Sequence, residues 1–131
     1  MYPKVVIDLE KLSHNAHQLS RMAAERGVTE LAFVTKVFCA DTEMVRTIAA
    51  SPCRYLADSR VENLARSGGM GKERILLRLP MPSQAAEVVR AAEISFNSEQ
   101  AALRALSQAA REAGLVHKAV LMIDLGDLRE G

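Results

Sequence analysis

Few features of specialised protein classes are present in this sequence. It has only two cysteines in 131 residues, Cys39 and Cys53, with neither a metal-ligand spacing nor a disulfide framework. Reduced thiols in a cytoplasmic protein are the expectation. No apolar run approaches the roughly 20 residues that a membrane-spanning helix needs. The amino terminus opens on a strand-like segment, so no signal peptide is visible. An excess of one charge is lacking too. Seventeen basic side chains against 16 acidic ones leave a formal +1, spread along the chain without a block. That pattern implies neither nucleic acid nor an anionic membrane as a partner. His14, His17 and His117 sit on helix or turn positions without ligand spacing, which predicts no metal site. A glycine-rich phosphate fingerprint is also missing. Ser67-Gly68-Gly69-Met70-Gly71 precedes a strand-like run instead of following one, so it reads as a turn.

What is present is an ordinary globular composition, 49% apolar and 25% charged, long enough for one domain with a real core. Strand and helix patterns alternate along it. Val5-Val6-Ile7 reads as a short strand, and Asp8 as the N-cap of a helix whose apolar face is Leu9, Leu12, Ala16, Leu19 and Ala23. Gly27 closes that helix. Leu31 to Thr35 is a strand, and Asp41 or Thr42 caps a helix to about Ala50, stopped by Pro52. Tyr55 to Ala57 is a strand, Val61 to Ala65 a helix, and Ile75 to Leu79 a strand ended by Pro80 and Pro82. Ser83 is expected to cap a helix through Ala92. Ile94 to Phe96 is a strand, and Ser98 the expected cap of a helix that buries Ala101, Leu103, Ala105, Leu106 and Ala110. Gly114 ends it, and Ala119 to Ile123 is a last, continuously apolar strand. Such alternation predicts a parallel sheet wrapped by helices, either doubly wound or a barrel.

Lys36 stands out because it follows the apolar run Leu31 to Thr35 and begins a loop. In a (β/α) barrel the carboxyl ends of the strands carry the active site. A partly desolvated amine there is readily deprotonated and can form a Schiff base with an aldehyde such as pyridoxal phosphate. The bland alternative is a strand-flanking lysine in solvent. Cys39, nearby, has no histidine close in sequence and reads as a small residue lining the same mouth. The segment 124–131 has the look of a functional loop after a strand, with no helix to cover it. That pattern predicts the front part of a longer polypeptide, one that would self-associate if isolated.

Four separated segments resemble one family. Val6-Ile7-Asp8-Leu9-Glu10-Lys11-Leu12-Ser13-His14-Asn15 is similar to the opening of alanine racemase-type enzymes. Phe33-Val34-Thr35-Lys36-Val37-Phe38-Cys39-Ala40-Asp41 resembles the segment that carries their cofactor lysine. Leu56-Ala57-Asp58-Ser59-Arg60-Val61-Glu62-Asn63-Leu64 and Asp124-Leu125-Gly126-Asp127-Leu128-Arg129-Glu130-Gly131 are similar to the ornithine racemase branch.

The resemblance implies a fold type III pyridoxal 5'-phosphate enzyme, with an amino-terminal (β/α)8 TIM-type barrel and a carboxyl-terminal β domain. Residues 1–131 would be the amino-terminal part of that barrel. They would supply about five of its eight strands, plus the leading strand at 5–7 outside it. Lys36 would hold the cofactor as a Schiff base and serve as one of two acid/base groups in an amino-acid racemase, acting on ornithine or a similar basic amino acid. Arg129 matches the arginine of a D-x-G-x-x-R-x-G motif that lies near the substrate carboxylate. Asp58, Arg60, Glu62 and Asn63 would orient the cofactor from the next strand end, or simply cap a helix, and Asn97 sits at another such junction. A homodimer is implied as well. Alanine racemases proper carry a tyrosine four residues after the lysine, where this sequence has Ala40. Two other readings remain at this level: a pyridoxal-phosphate binding protein without turnover, and an inactive barrel fragment.

Overall fold

The computed structural model describes residues 2–126. Strands β1 (Ala32–Val34), β2 (Tyr55–Asp58), β3 (Glu73–Leu76), β4 (Ile94–Asn97) and β5 (Lys118–Leu121) form one sheet in the order β1-β2-β3-β4-β5. Every neighbouring pair is parallel. A doubly wound sheet reverses its strand order at a switch point, whereas a barrel adds strands in chain order. The unbroken order selects the barrel, of which these five strands form a part. Helix α1 (Leu9–Glu25) precedes the sheet, and α2 (Thr42–Ala49), α3 (Val61–Arg66), α4 (Ala85–Ala91) and α5 (Gln100–Ala113) connect its strands. Among the described residues, no helix is long and apolar enough to cross a membrane.

Local chemistry sets several boundaries. Asp8 Oδ1 accepts from the Glu10 and Lys11 amides at 3.1 Å each, and Asp41 Oδ1 does the same for Glu43 and Met44. Both occupy the orphan donors of a helix start. Gly27 and Gly114, with φ of +76° and +65°, follow α1 and α5 in the left-handed conformation that lets a helix turn off. The other two expected caps fail. Ser83 lies inside a 3-10 turn, Pro82–Gln84, that precedes α4, because Pro82 pre-sets a helical turn one residue too early. Ser98 is displaced by Glu99, which stays extended and delays the start of α5 by one residue.

The leading strand does not form. Residues 5–7 lie outside any ladder, and Val5 and Val6 are 87% and 79% exposed. A strand exists only with a hydrogen-bonded partner, and no described strand runs beside this segment. Strand β3 also starts earlier than the apolar run suggests. Glu73 and Arg74 join the ladder opposite Tyr55 and Leu56, and the ladder ends at Leu76.

Alternation along the strands sorts side chains onto two faces. Tyr55, Ala57, Ile75, Leu77, Ile94 and Phe96 pack together on the face that a closed barrel would enclose. Leu56 and Leu76 point the other way, into helix-facing cores. Leu56 packs with Val45 and Ile48, and Leu76 with Leu64, Val88 and Leu106. At the amino ends of the strands Glu73 binds Arg54 at 3.1 Å and Lys118 at 2.5 Å, and Arg54 also pairs with Glu30.

Candidate active site

Lys36 opens a 3-10 turn, Lys36–Phe38, at the carboxyl end of β1. Its side chain is exposed and has no hydrogen-bond or ion-pair partner among the described residues. The turn is tied back onto the strand end: the Phe38 and Ala40 amides donate to Thr35 O at 3.3 and 3.2 Å, and Cys39 N to Lys36 O at 3.2 Å. Cys39 and Ala40 complete it at φ of +52° and +50°. Two successive left-handed residues that are not glycine cost about 1–2 kcal/mol each. Burial of Ala40 beside Val45 and Leu56 offsets part of that. The loop is thus held in one shape, and Lys36 is fixed at its root.

What fixes the root is Thr35. Its amide donates to Ala57 O at 2.8 Å, extending the β1–β2 ladder by one bond. Its Oγ1 lies 2.6 Å from Asp58 Oδ2 and 3.3 Å from Ala57 O, so its single proton goes to the carboxylate. Asp58 is fully buried on the helix-facing side. Its Oδ1 accepts from Arg60 N at 3.0 Å and from Asn63 Nδ2 at 3.1 Å. Three donors compensate the buried carboxylate, and the arrangement binds the start of α3 to the end of β1.

The expected site residues therefore divide. Lys36 stands at the strand mouth. Asp58 and Asn63 are brought together, but as a buried bracket behind that mouth, with their polar atoms engaged with their own chain. Arg60 and Glu62 project from the turn before α3 and its first residues and line a separate cleft. Asn97 ends β4 on the helix-facing side. Its Nδ2 donates to Ser95 O and Oγ at 2.8 and 3.0 Å, while its buried Oδ1 lacks a partner among the described residues. Arg129 lies outside the described residues.

Sequence reasoning missed Thr35, whose importance depends on which β2 residue stands across from it. It also missed the Ser95–His117 contact, Oγ to Nε2 at 2.8 Å, in which His117 Nδ1 lies 3.1 Å from Ala92 O. A carbonyl only accepts, so Nδ1 carries the proton and Nε2 accepts from Ser95. Burial lowers the His117 pKa and keeps the ring neutral, outweighing the Ala92 carbonyl and the nearby Glu93 charge. Among the described residues no cluster of histidine, cysteine or acidic side chains could hold a metal.

The family described as "Alanine racemase, N-terminal domain" matches residues 7–131. An ornithine racemase of Acetoanaerobium sticklandii is 41% identical over the full chain, and a lysine racemase of Thermotoga maritima is 35% identical, also over the full chain. The chain spans 37% of the length of each. The structure of an alanine racemase from Streptomyces coelicolor A3(2) superposes with a TM-score of 0.78 at 22% identity, covering 95% of this chain and 34% of that one. At that identity the superposition speaks for the fold, a partial TIM-type barrel.

Proposed function

The chain belongs to the alanine racemase N-terminal domain family, and from that premise we propose that the complete protein is a pyridoxal-phosphate-dependent racemase of ornithine or a similar basic amino acid. The observation that carries this reading is the unpartnered Lys36 amine at the carboxyl end of β1, rooted by the Thr35–Asp58 hydrogen bond. The two relatives that align over the whole of this chain are named for ornithine and lysine, amino acids with a terminal side-chain amine.

The residues present fit one part of the cofactor site: a free primary amine, on a rigid turn, at the end of the sheet where barrels do chemistry. Pyridoxal phosphate, when bound, would supply an electron sink for charge developing at the substrate Cα. Lys36 would hold it through Nζ and, once displaced by the substrate amine, would give or take the Cα proton on one face. Thr35, Asp58 and Asn63 would keep that amine in register from behind, and Asn97 would support the end of β4. Arg60 and Glu62 line a cleft apart from the Lys36 amine, and Arg129 would pair its planar fork with the substrate carboxylate. Residues 1–131 would then be the amino-terminal part of the barrel domain of a cytoplasmic homodimer.

Chiral chromatography on single enantiomers of ornithine and lysine tests the reading. Incubation with the complete protein and pyridoxal phosphate should interconvert at least one pair, and Lys36→Ala should abolish this. Failure to interconvert either pair, with the cofactor supplied, would refute it.

A further inference from the structure

A second concavity lies apart from Lys36. It is a cleft of about 330 Å³ at the carboxyl ends of β2 and β3, lined by Arg60, Glu62, Asn63, Arg66 and Arg78. Leu76 also lines it, and Leu76 belongs to the helix-facing core with Leu64 and Val88. The cleft therefore opens on the helix side of the sheet, and Lys36 is not part of its lining.

Three guanidinium groups and one carboxylate give this lining a formal charge of +2. The arginines arrive from two stretches: Arg60 and Arg66 from the two ends of α3, and Arg78 from the stretch after β3. Arg66 is already aimed. Its Nη2 donates to Asn63 Oδ1 at 2.5 Å, and buried Asn63 is held in turn by Asp58. The side chains of Arg60, Arg78 and Glu62 have no hydrogen-bond or ion-pair partner among the described residues. Arginines elsewhere near the strand ends are neutralised, Arg54 by Glu30 and Glu73 and Arg74 by Glu93.

Like charges converging on one concavity repel each other, and a bound anion relieves that repulsion. Guanidinium forks match oxyanion edges. A planar carboxylate offers its lone-pair sites in one plane, whereas a tetrahedral phosphate presents several edges in different directions and suits forks arriving from different sides. Glu62 in the same lining disfavours a long polyanion. We propose that this cleft binds a small phosphate monoester, at a site separate from the Lys36 amine.

Calorimetric titration of the complete protein with inorganic phosphate, at constant ionic strength in chloride, tests the proposal. Saturable binding is expected, weakened about tenfold or more in Arg60→Gln/Arg78→Gln. The Arg60 backbone bond to Asp58 survives that substitution. Arg104→Gln/Arg111→Gln, which removes the same charge from α5, should change affinity less than about twofold. Lys36→Ala should leave binding intact, and glycerol 3-phosphate should bind at least as tightly as phosphate. Four results would overturn it. These are no saturable binding, equal weakening in both arginine pairs, loss of binding in Lys36→Ala, or weaker binding of the monoester than of phosphate.

Discussion

Thr35 Oγ1 donates to Asp58 Oδ2 at 2.6 Å, joining two fully buried side chains at the ends of adjacent strands. One bond thereby links the residue before Lys36 to the carboxylate that organises the start of α3. Without it the carboxylate keeps two of its three donors, and the root of the lysine loop keeps only its backbone ladder.

Thr35→Val should cost about 1.5–3 kcal/mol, the usual loss when a charged buried group gives up a hydrogen bond. Thr35→Ser, which retains the hydroxyl, should lose less. Urea unfolding of the complete protein measures both. Equal stabilities for the valine and serine variants would show that the hydroxyl does not support the carboxylate.

Cys39 is exposed at φ +52°, so its side chain contributes strain and little packing. Cys39→Gly relieves an unfavourable backbone conformation, partly offset by the greater entropy of an unfolded glycine. A net gain of up to about 1 kcal/mol is expected. A loss in the same unfolding measurement would mean that the turn does not need the left-handed conformation.

His117 predicts a pH dependence with a definite sign. Its folded pKa lies below the ordinary 6.5 because burial disfavours the charged ring. Between the two values the unfolded chain binds more protons, so stability rises with pH. The contribution is complete above about pH 6.5 and is lost as pH falls through the folded pKa. Unfolding midpoints at a series of pH values should fall across that window, and His117→Gln should flatten the slope. A slope unchanged by the substitution would place its origin in other groups.

The helix and strand order was legible because apolar periodicity switches repeatedly between strand and helix spacing, and Asp8, Asp41, Gly27 and Gly114 punctuate it where the backbone needs them. The errors have physical causes. Strand β3 begins two residues ahead of its apolar run, because the charged Glu73 and Arg74 are balanced by Lys118, Arg54 and Glu93 from distant parts of the chain. The apolar pattern of Val5 to Ile7 suits a strand, yet pairing depends on a neighbour that the pattern does not specify. For the site, Lys36 could be picked out by its place after an apolar run. The direction in which Asp58 faces depends on the cross-strand register Val34–Ala57, which no single segment encodes.

The central claim is that Lys36 is the amine that takes the cofactor. Its most direct test is borohydride reduction of the complete protein with pyridoxal phosphate, followed by peptide mass mapping. The account predicts a phosphopyridoxyl adduct on Lys36, lost in Lys36→Ala. Modification confined to another lysine, such as Lys72 or Lys118, or no adduct at all, would contradict it.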